Sequence, residues 1–256
     1  MIFTIDVGNS NIVLGGIRGD EIVFEARLRT DSTKTSDEYC IDLKMILDVY
    51  NLKNTDIEGS IIASVVPQVS NSIQTAIRKL TGKAPLVVSP ELKTNLKISI
   101  DNPAETGADL IVGCVAALQE HKAPMIIIDM GTATTMFVLD KDSAMIGGAI
   151  IPGVKISMDA LTNRTALLPG LQLDQPKQAI GSNTIDCMRS GLMLGNACMI
   201  DGMIDRMEEE LGYPTTVIAT GGIAKFVIPM CRHEIIYDKD LLVKGLAALY
   251  RENQSN

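Results

Sequence analysis

Two short stretches decide the fold: Asp6-Val7-Gly8-Asn9-Ser10-Asn11 and Asp129-Met130-Gly131-Thr132-Ala133-Thr134. Both follow the pattern Asp-x-Gly-[Asn/Thr]-x-[Asn/Thr]. Each comes after an apolar run and before two runs that are typical of a β-hairpin. In a chain of 256 residues, the two copies start 123 positions apart, which indicates a long-range duplication and not a solenoid repeat. The spacing therefore predicts two related α/β halves with a cleft between them.

Hydrophobic periodicity along the rest of the chain supports the same architecture. Strands are predicted at residues 2–7, 12–16, 21–28, 60–66, 85–88, 125–129, 136–139, 144–151 and 215–219. Helices are predicted at residues 36–50, 69–80, 106–119, 154–161, 184–211 and 240–252. We expect an N-terminal α/β half at residues 1–115 with the first Asp-x-Gly turn. The C-terminal half, residues 116–256, is expected to carry the second Asp-x-Gly turn and the Gly221-Gly222 pair.

Composition excludes several classes of function. The chain has 23 Lys and Arg against 31 Asp and Glu, a net charge of −8, whereas binding to nucleic acid or to an anionic membrane requires a basic surface. No apolar run approaches the roughly 18 residues of a membrane helix, and the N-terminus lacks a basic signal-peptide region. The five cysteines form no Cys-x-x-Cys pair, so neither a disulfide framework nor a zinc site is indicated. We expect a cytoplasmic protein.

The chemistry of the Asp-x-Gly turns suits a polyphosphate. Glycine allows the backbone to approach a ligand closely, and successive N–H groups around such a turn form an anion site. An aspartate would repel bare phosphate, so Asp6 and Asp129 make chemical sense if they hold cations or metal-bound water. Two facing copies would clamp the phosphates from both sides. In the alternative interpretation, Asp6 and Asp129 only satisfy their own turns.

Three further features have a structural and a functional interpretation. Gly221 and Gly222 follow a predicted strand, where backbone could meet adenine or ribose, although such a pair is often only a turn. Gly147 and Gly148 lie inside a predicted strand and indicate either close approach of a backbone or ligand, or a β-bulge. Asp109, in the first turn of a predicted helix, is favoured there by the helix dipole whatever its function.

The motifs taken together resemble one family. They are, in chain order, Asp6 to Asn11, Asn102-Pro103-x-Glu105-x-Gly107-Ala108-Asp109, Asp129 to Thr135, Gly147-Gly148-x-Ile150-x-Pro152-Gly153 and Gly181-x-Asn183-Thr184. This set resembles type III pantothenate kinase, of the actin/hexokinase/Hsp70 superfamily, over nearly the whole chain. The resemblance implies an α/β fold of two duplicated RNase H-like halves, each with a mixed sheet flanked by helices, around a central cleft.

The resemblance also implies an activity and a set of site residues. The activity is ATP-dependent phosphorylation of pantothenate to 4′-phosphopantothenate, the first step of coenzyme A synthesis, by a homodimer. Asp6 would hold a divalent cation such as Mg²⁺ through water, Asp129 a monovalent cation, K⁺ or NH₄⁺, and Asp109 would be the general base. The residues implied for ATP are Asp6, Val7, Gly8, Asn9, Ser10, Asn11, Ile12, Val13 and Thr132, to which the glycine pair adds Gly221 and Gly222. The positions implied for pantothenate are Ile100, Gly107, Ala108, Asp109, Leu110 and Thr184.

The chain departs from the family pattern on the pantothenate side. Leu110 stands where the family usually has arginine, and Ile100 where it often has tyrosine. An arginine there would be a strong partner for a carboxylate, and Lys155 or Arg164 could take its place. These departures favour the alternative of a non-catalytic or weakly active nucleotide-binding accessory protein. A phosphatase of the same superfamily is a further alternative, although no residue for positioning a water is evident. The long apolar stretch 184–211 also predicts a homodimer.

Overall fold

A computed structural model describes residues 1–89 and 91–254 and divides them into two compact units. The first unit contains residues 1–97, residues 101–119 and the chain from residue 240 onward. The second unit contains residues 98–100 and 120–239. Both are α/β units with a mixed sheet. In the described part of the chain, no helix combines the length and hydropathy needed to cross a membrane.

The first unit is built on a five-stranded sheet with the order β3-β2-β1-β4-β5. The strands β1 to β3 are antiparallel neighbours, whereas β4 and β5 continue the sheet in parallel from β1. The strands are β1 (Ile2–Val7), β2 (Asn11–Arg18), β3 (Glu21–Arg29), β4 (Gly59–Ser64) and β5 (Leu86–Val87). The helices are α1 (Ser36–Val49), α2 (Pro67–Thr81), α3 (Ala108–Glu120) and α7 (Leu241–Gln254).

The second unit repeats this topology. Its sheet has the order β11-β10-β7-β8-β9-β6, so that β7 to β11 take the same relative places as β1 to β5, with β6 added at one edge. The strands are β6 (Lys97–Ile98), β7 (Met125–Met130), β8 (Ala133–Leu139), β9 (Ala144–Pro152), β10 (Thr216–Thr220) and β11 (Ile236–Tyr237). The helices are α4 (Val154–Arg164), α5 (Thr184–Leu211) and α6 (Ala224–Val227). The shared strand order confirms the predicted duplication, and the predicted elements agree closely in type and position.

Each unit buries its own apolar core. In the first unit, α1 and α2 cover one face of the sheet, and Phe3, Ile5 and Tyr39 are fully buried there. In the second unit, α4, α5 and α6 cover the sheet in the same way around Met136, Met193 and Ile200. Helix α1 begins with a capping box between Thr35 and Glu38, and α2 begins with a proline at its first position. These cores hold fixed the loops that follow β1 and β7.

The units differ from the predicted halves at their boundaries. The sequence-based division assigned all residues from 116 onward to the second half, but α3 and α7 both belong to the first unit. Helix α7 packs on the first sheet, where a Cβ on Gly15 would lie 2.6 Å from Val243. Gly245 of α7 meets the backbone of Val112 in α3 at equally short range. Helix α7 therefore completes the first unit from the far end of the chain.

Candidate active site

The first Asp-x-Gly turn joins β1 to β2. Asp6, which pairs with Val13 in the β1–β2 ladder, is half-buried. The Gly8 N–H donates to the Asn11 carbonyl at 3.0 Å and closes a tight turn. Asn9, Ser10 and Asn11 are exposed, so their side chains are accessible to solvent. This loop offers an accessible set of donors beside a carboxylate, as the sequence predicted.

Two predicted ATP residues next to this loop have a different environment. The side chains of Val7 and Ile12 are fully buried in the core of the first unit, whereas Val13 is half-buried. Val7 and Ile12 could therefore contact a nucleotide only through backbone groups. Their side chains fix the ends of the turn, because burial in a close-packed core holds both strands in place.

A threonine that the sequence analysis missed holds the first loop. Thr30 Oγ1 donates to the Gly8 carbonyl at 2.6 Å, and the Thr30 N–H donates to the Ser10 carbonyl at 3.1 Å. Thr30 follows the last residue of β3, Arg29, which pairs with Asn11 in the hairpin. The pairing of β2 and β3 therefore brings a hydroxyl against the turn from 22 residues away.

The second Asp-x-Gly turn joins β7 to β8 and packs against other backbone segments, although Gly131 itself is exposed. The Gly131 N–H donates to the Ala133 carbonyl at 3.0 Å. Gly153, which precedes α4, lies so close that a Cβ there would be 2.9 Å from the Thr132 carbonyl carbon and closer still to its oxygen. Thr132 itself is half-buried. The glycine at 153 is therefore required by the close approach of two backbones.

The structure brings the predicted glycine pair against the second carboxylate. Gly221 follows β10, whose Thr220 pairs with Asp129 of β7 in the parallel ladder. Gly221 has a φ of +95°, which favours glycine, and a Cβ on Gly221 would lie 2.6 Å from Asp129 Oδ1. Gly222 is half-buried directly after it. Residue 221 is therefore glycine for a structural reason, because a side chain there would clash with Asp129 and with the Met130 backbone.

The glycines of β9 mark both a bulge and a close approach. The register of β8 and β9 shifts between Val138 and Leu139, and Gly147 there has a φ of +141°. A Cβ on Gly148 would strike the Met136 carbonyl and lie 2.9 Å from the Phe137 Cα atom. Both structural interpretations of this glycine pair therefore hold in β9.

Asp109 lies in the first turn of α3. The carbonyl of Gly107 accepts the first helical hydrogen bonds, from Leu110 N at 3.1 Å and Ile111 N at 3.2 Å, so Gly107 is the N-cap residue. The predicted start at residue 106 was two residues early, because α3 begins at Ala108. Asp109 Oδ1 accepts from the Leu110 N–H at 2.9 Å. Burial raises the pKa of the Asp109 carboxyl, and its hydrogen bonds to the Leu110 and Asp109 backbone partly oppose this.

The other residues predicted for pantothenate are divided between the two units. Ala108 is buried and Leu110 half-buried beside Asp109 in the first unit. Ile100, which is half-buried, and Thr184, which is exposed, belong to the second unit. Thr184 begins α5, whose N-cap Asn183 accepts from the Asp186 N–H at 3.0 Å.

The carboxylates near the two turns suit a cation whose other ligands are water molecules and phosphate oxygens. Among residues 1–89 and 91–254, no group of three or more His, Cys, Asp or Glu side chains could hold a metal ion by itself. Mg²⁺ in phosphoryl-transfer sites typically takes one or two carboxylates, with waters and phosphates completing its shell. A single carboxylate, Asp6, beside an exposed loop with amide and hydroxyl oxygens fits that pattern.

Comparisons with known proteins agree on the family. The sequence profile described as type III pantothenate kinase matches residues 2–206. The type III pantothenate kinase of Exiguobacterium sp. is 42% identical over 254 residues, which cover 99% of this chain and 100% of that protein. The enzyme of the same name from Halalkalibacterium halodurans is 40% identical over 253 residues, again 99% of this chain and 100% of that protein.

Solved structures share the fold. Component A of (R)-2-hydroxyglutaryl-CoA dehydratase from Acidaminococcus fermentans superimposes with a TM-score of 0.58 at 16% identity, covering 100% of both chains. The ROK hexokinase from Thermus thermophilus gives a TM-score of 0.53 at 10% identity, covering 100% of this chain and 99% of that one. These likenesses establish the actin/hexokinase-type α/β fold, and the sequence matches establish the family. The chain belongs to the type III pantothenate kinase family.

Proposed function

We propose that this protein transfers the γ-phosphoryl group of ATP to the 4′-hydroxyl of pantothenate and so begins coenzyme A synthesis. One observation carries the proposal: the chain is 42% identical to a curated type III pantothenate kinase along 99% of its length. The duplicated fold and the two Asp-x-Gly turns are consistent with it, because phosphoryl transfer depends on positioning and electrostatic stabilisation.

Each Asp-x-Gly turn is proposed to be a phosphate-binding loop. The exposed Asn9, Ser10 and Asn11 offer side-chain and backbone donors, and Thr132 offers a hydroxyl in the second turn. Asp6 would hold Mg²⁺ through water, and Asp129 a K⁺ or NH₄⁺ ion. These cations neutralise charge on the phosphate oxygens when bound. Gly221 and Gly222 are proposed to lie beside the nucleoside.

Asp109 is proposed to accept the proton of the attacking hydroxyl. A general base works best when its pKa lies close to the working pH while it remains ionised. Burial moves the pKa of Asp109 upward, in that direction. The carboxylate is also fixed by the Leu110 N–H at 2.9 Å, which limits the orientations it can take. Gly107, Ala108, Leu110, Ile100 and Thr184 are proposed to contact pantothenate.

The working form is proposed to be a homodimer, although not through an all-apolar α5. Helix α5 is not apolar on all sides, because its large apolar residues face the core and its exposed face carries Gly191, Gly195 and Cys198. The second unit instead exposes apolar side chains elsewhere. They are Ile146, Ile150, Ile156, Leu161, Leu167, Ile180, Ile236 and Tyr237. A second copy would cover part of this exposed apolar surface.

All five cysteines are free, which suits the cytoplasm.

The direct test measures ADP release from ATP with Mg²⁺ and K⁺, with and without pantothenate. We expect pantothenate-dependent turnover, which Asp109→Asn should reduce by about 10²–10⁴-fold, the usual contribution of a general base. ATP binding, measured by calorimetry, should be unchanged. Near-normal turnover of the variant would assign Asp109 to the helix dipole alone.

The same variant has a predictable effect on stability. The pKa of Asp109 is higher in the folded chain than its ordinary value of 3.8, so the folded state binds more protons above about that pH. The contribution of Asp109 to the free energy of unfolding therefore decreases as the pH rises from its ordinary pKa of 3.8 through its higher pKa in the folded chain. We therefore compare the free energy of unfolding of Asp109→Asn with that of the unaltered protein at each pH. The difference, variant minus unaltered protein, should be more positive at pH 7 than at pH 4, as measured by urea unfolding.

One observation favours a second candidate function. Leu110 replaces a guanidinium on the substrate side, so a nucleotide-binding accessory protein without turnover is the alternative. Leu110→Arg separates the two. If pantothenate is the substrate, restoring a charged partner should tighten its binding by about tenfold, since a hydrogen bond to a charged group contributes about 1.5–3 kcal/mol. An accessory protein would bind ATP and show no pantothenate-dependent ADP release in either form.

A further inference from the structure

A glycine lies where the carboxylate of Asp109 needs space. A Cβ built on Gly107 would be 2.6 Å from Asp109 Oδ1, far inside van der Waals contact. The next nearest atoms, Leu110 Cγ at 3.6 Å and Cδ1 at 3.7 Å, are at ordinary contact distances. Of the three atoms nearest to that position, a methyl group would therefore strike only the oxygen of the proposed base.

Neither backbone geometry nor helix capping explains glycine at this position. Gly107 is not among the residues with positive φ, so the backbone there is open to other amino acids. As the N-cap of α3, it could equally be serine, asparagine or aspartate, which cap helices at least as well as glycine. The space above its Cα atom is the feature that only glycine provides.

Few other groups hold the Asp109 carboxylate. Oδ1 accepts from the Leu110 N–H at 2.9 Å, so the side chain folds back over the start of α3 and across Gly107. Within the described residues, no charged side chain contributes to the pKa of Asp109, which reflects burial and backbone hydrogen bonds. The orientation of the carboxylate thus depends on the backbone N–H groups of Leu110 and Asp109 and on the free space at residue 107.

We propose that Gly107 is a positioning residue for this kinase: its missing side chain lets the Asp109 carboxylate stay folded over the N-terminus of α3, oriented toward the reacting hydroxyl. This inference rests on the proposed role of Asp109 as the base. A β-carbon at residue 107 turns the carboxylate away from the Leu110 N–H but leaves the helix in place, because the atom it meets is the end of a rotatable side chain.

The test uses two variants with the same steric effect and different capping strength. Gly107→Ala introduces the methyl group and weakens the cap, whereas Gly107→Ser introduces the same carbon and supplies a capping oxygen. Both should lower kcat by about 10²-fold, as expected for a base displaced by about 1 Å, with KM for ATP within about twofold. Gly170→Ala is the control, because a Cβ there meets nothing within 4 Å.

The pH profile separates positioning from a structural role. The Leu110 N–H bond lowers the pKa of Asp109, so losing it raises that pKa. The rate depends on the ionised base, and the acid limb of kcat/KM should therefore move to higher pH in both Gly107 variants. Gly170→Ala should retain the original profile.

Three results would overturn the inference. Wild-type kcat and an unmoved acid limb in Gly107→Ala and Gly107→Ser, with Asp109→Asn inactive, would refute positioning and leave the base intact. If Gly107→Ala loses kcat in parallel with a lower Tm while Gly107→Ser keeps both, Gly107 acts only as a helix cap. Normal turnover of Asp109→Asn would remove the proposed base, and this inference with it.

Discussion

The loop after β1 and the loop after β7 share one sequence pattern, but different neighbours hold them in place. The first loop is exposed at Asn9, Ser10 and Asn11, and Thr30 secures it through hydrogen bonds to two carbonyls. The second loop is enclosed, because Gly153 and Gly221 bring two other backbone segments against Thr132 and Asp129. The first loop is thus held by hydrogen bonds from the side chain and backbone of one residue, and the second by close backbone packing.

The shared motif therefore determines the shape of the turn, whereas the neighbouring segments determine how accessible the turn is to a ligand. An exposed turn beside Asp6 has space for phosphates and for a cation that keeps its water. Asp129 Oδ1 and the Met130 carbonyl oxygen instead both lie close to Gly221, so the second carboxylate has less open space beside it. The contrast accords with the proposed assignment of the hydrated divalent ion to Asp6 and the monovalent ion to Asp129.

The largest effect is expected when the enclosed loop is forced open. In Gly153→Ala the new methyl group meets the Thr132 carbonyl, which is backbone and cannot rotate away. We expect a loss of about 3 kcal/mol in the free energy of unfolding, at the upper end for overpacking. Gly131→Ala is the matched control in the same loop, because its nearest contact is 3.8 Å away. Urea unfolding of both variants measures the difference, and equal stabilities would contradict the enclosure.

A smaller effect is expected at the first loop. Thr30→Val removes the hydroxyl that donates to the Gly8 carbonyl at 2.6 Å and retains the shape of the side chain. Stability should fall by about 1 kcal/mol, and KM for ATP should rise several-fold as the loop loosens. Thr30→Ser, which keeps the donor, should stay close to the original protein. Unchanged ATP kinetics in Thr30→Val would mean that the loop does not need this bond.

The smallest effect should have the opposite sign. Thr134, in the second loop's motif, is 1% exposed, and its hydroxyl finds no hydrogen-bond partner among the described residues. Thr134→Val should therefore raise the free energy of unfolding by about 0.5–1 kcal/mol, because the buried hydroxyl carries an uncompensated desolvation cost. A thermal melt compared with that of Thr30→Val tests the sign. Destabilisation would show that the Thr134 hydroxyl is bonded after all.

Most of the fold could be predicted from the sequence because its signals are local. Apolar runs and turn residues located the strands, and two copies of one motif indicated the duplication that the strand orders confirm. The place of α7 could not be predicted, because it depends on contacts between residues far apart in sequence. Gly59 meets Tyr250, and Val112 meets Gly245, and neither pair leaves a local pattern.

The residues of the candidate site could be predicted where a sequence motif contains them. They could not be predicted where their position depends on the pairing register of two strands. Asp109 and the two turns follow motifs, whereas Thr30 depends on which residue of β3 stands opposite the loop. Counting back from the two-residue turn after Arg18 would place Thr30 opposite Asn9. A bulge between Gly16 and Ile17 shifts the pairing by one residue and brings Thr30 to Ser10 instead. A bulge of this kind has no reliable signal in a single sequence.

The return of α7 to the first sheet has a consequence for synthesis on the ribosome. Apart from residues 98–100, the second unit is one continuous segment, residues 120–239, and its core can close as soon as that segment has emerged. The first unit has to wait for its last helix, although its sheet is made first. Vectorial synthesis normally favours the N-terminal domain. Here the nascent chain would complete its later-made unit first, while the sheet of residues 2–87 remains partly uncovered until α7 has been synthesised.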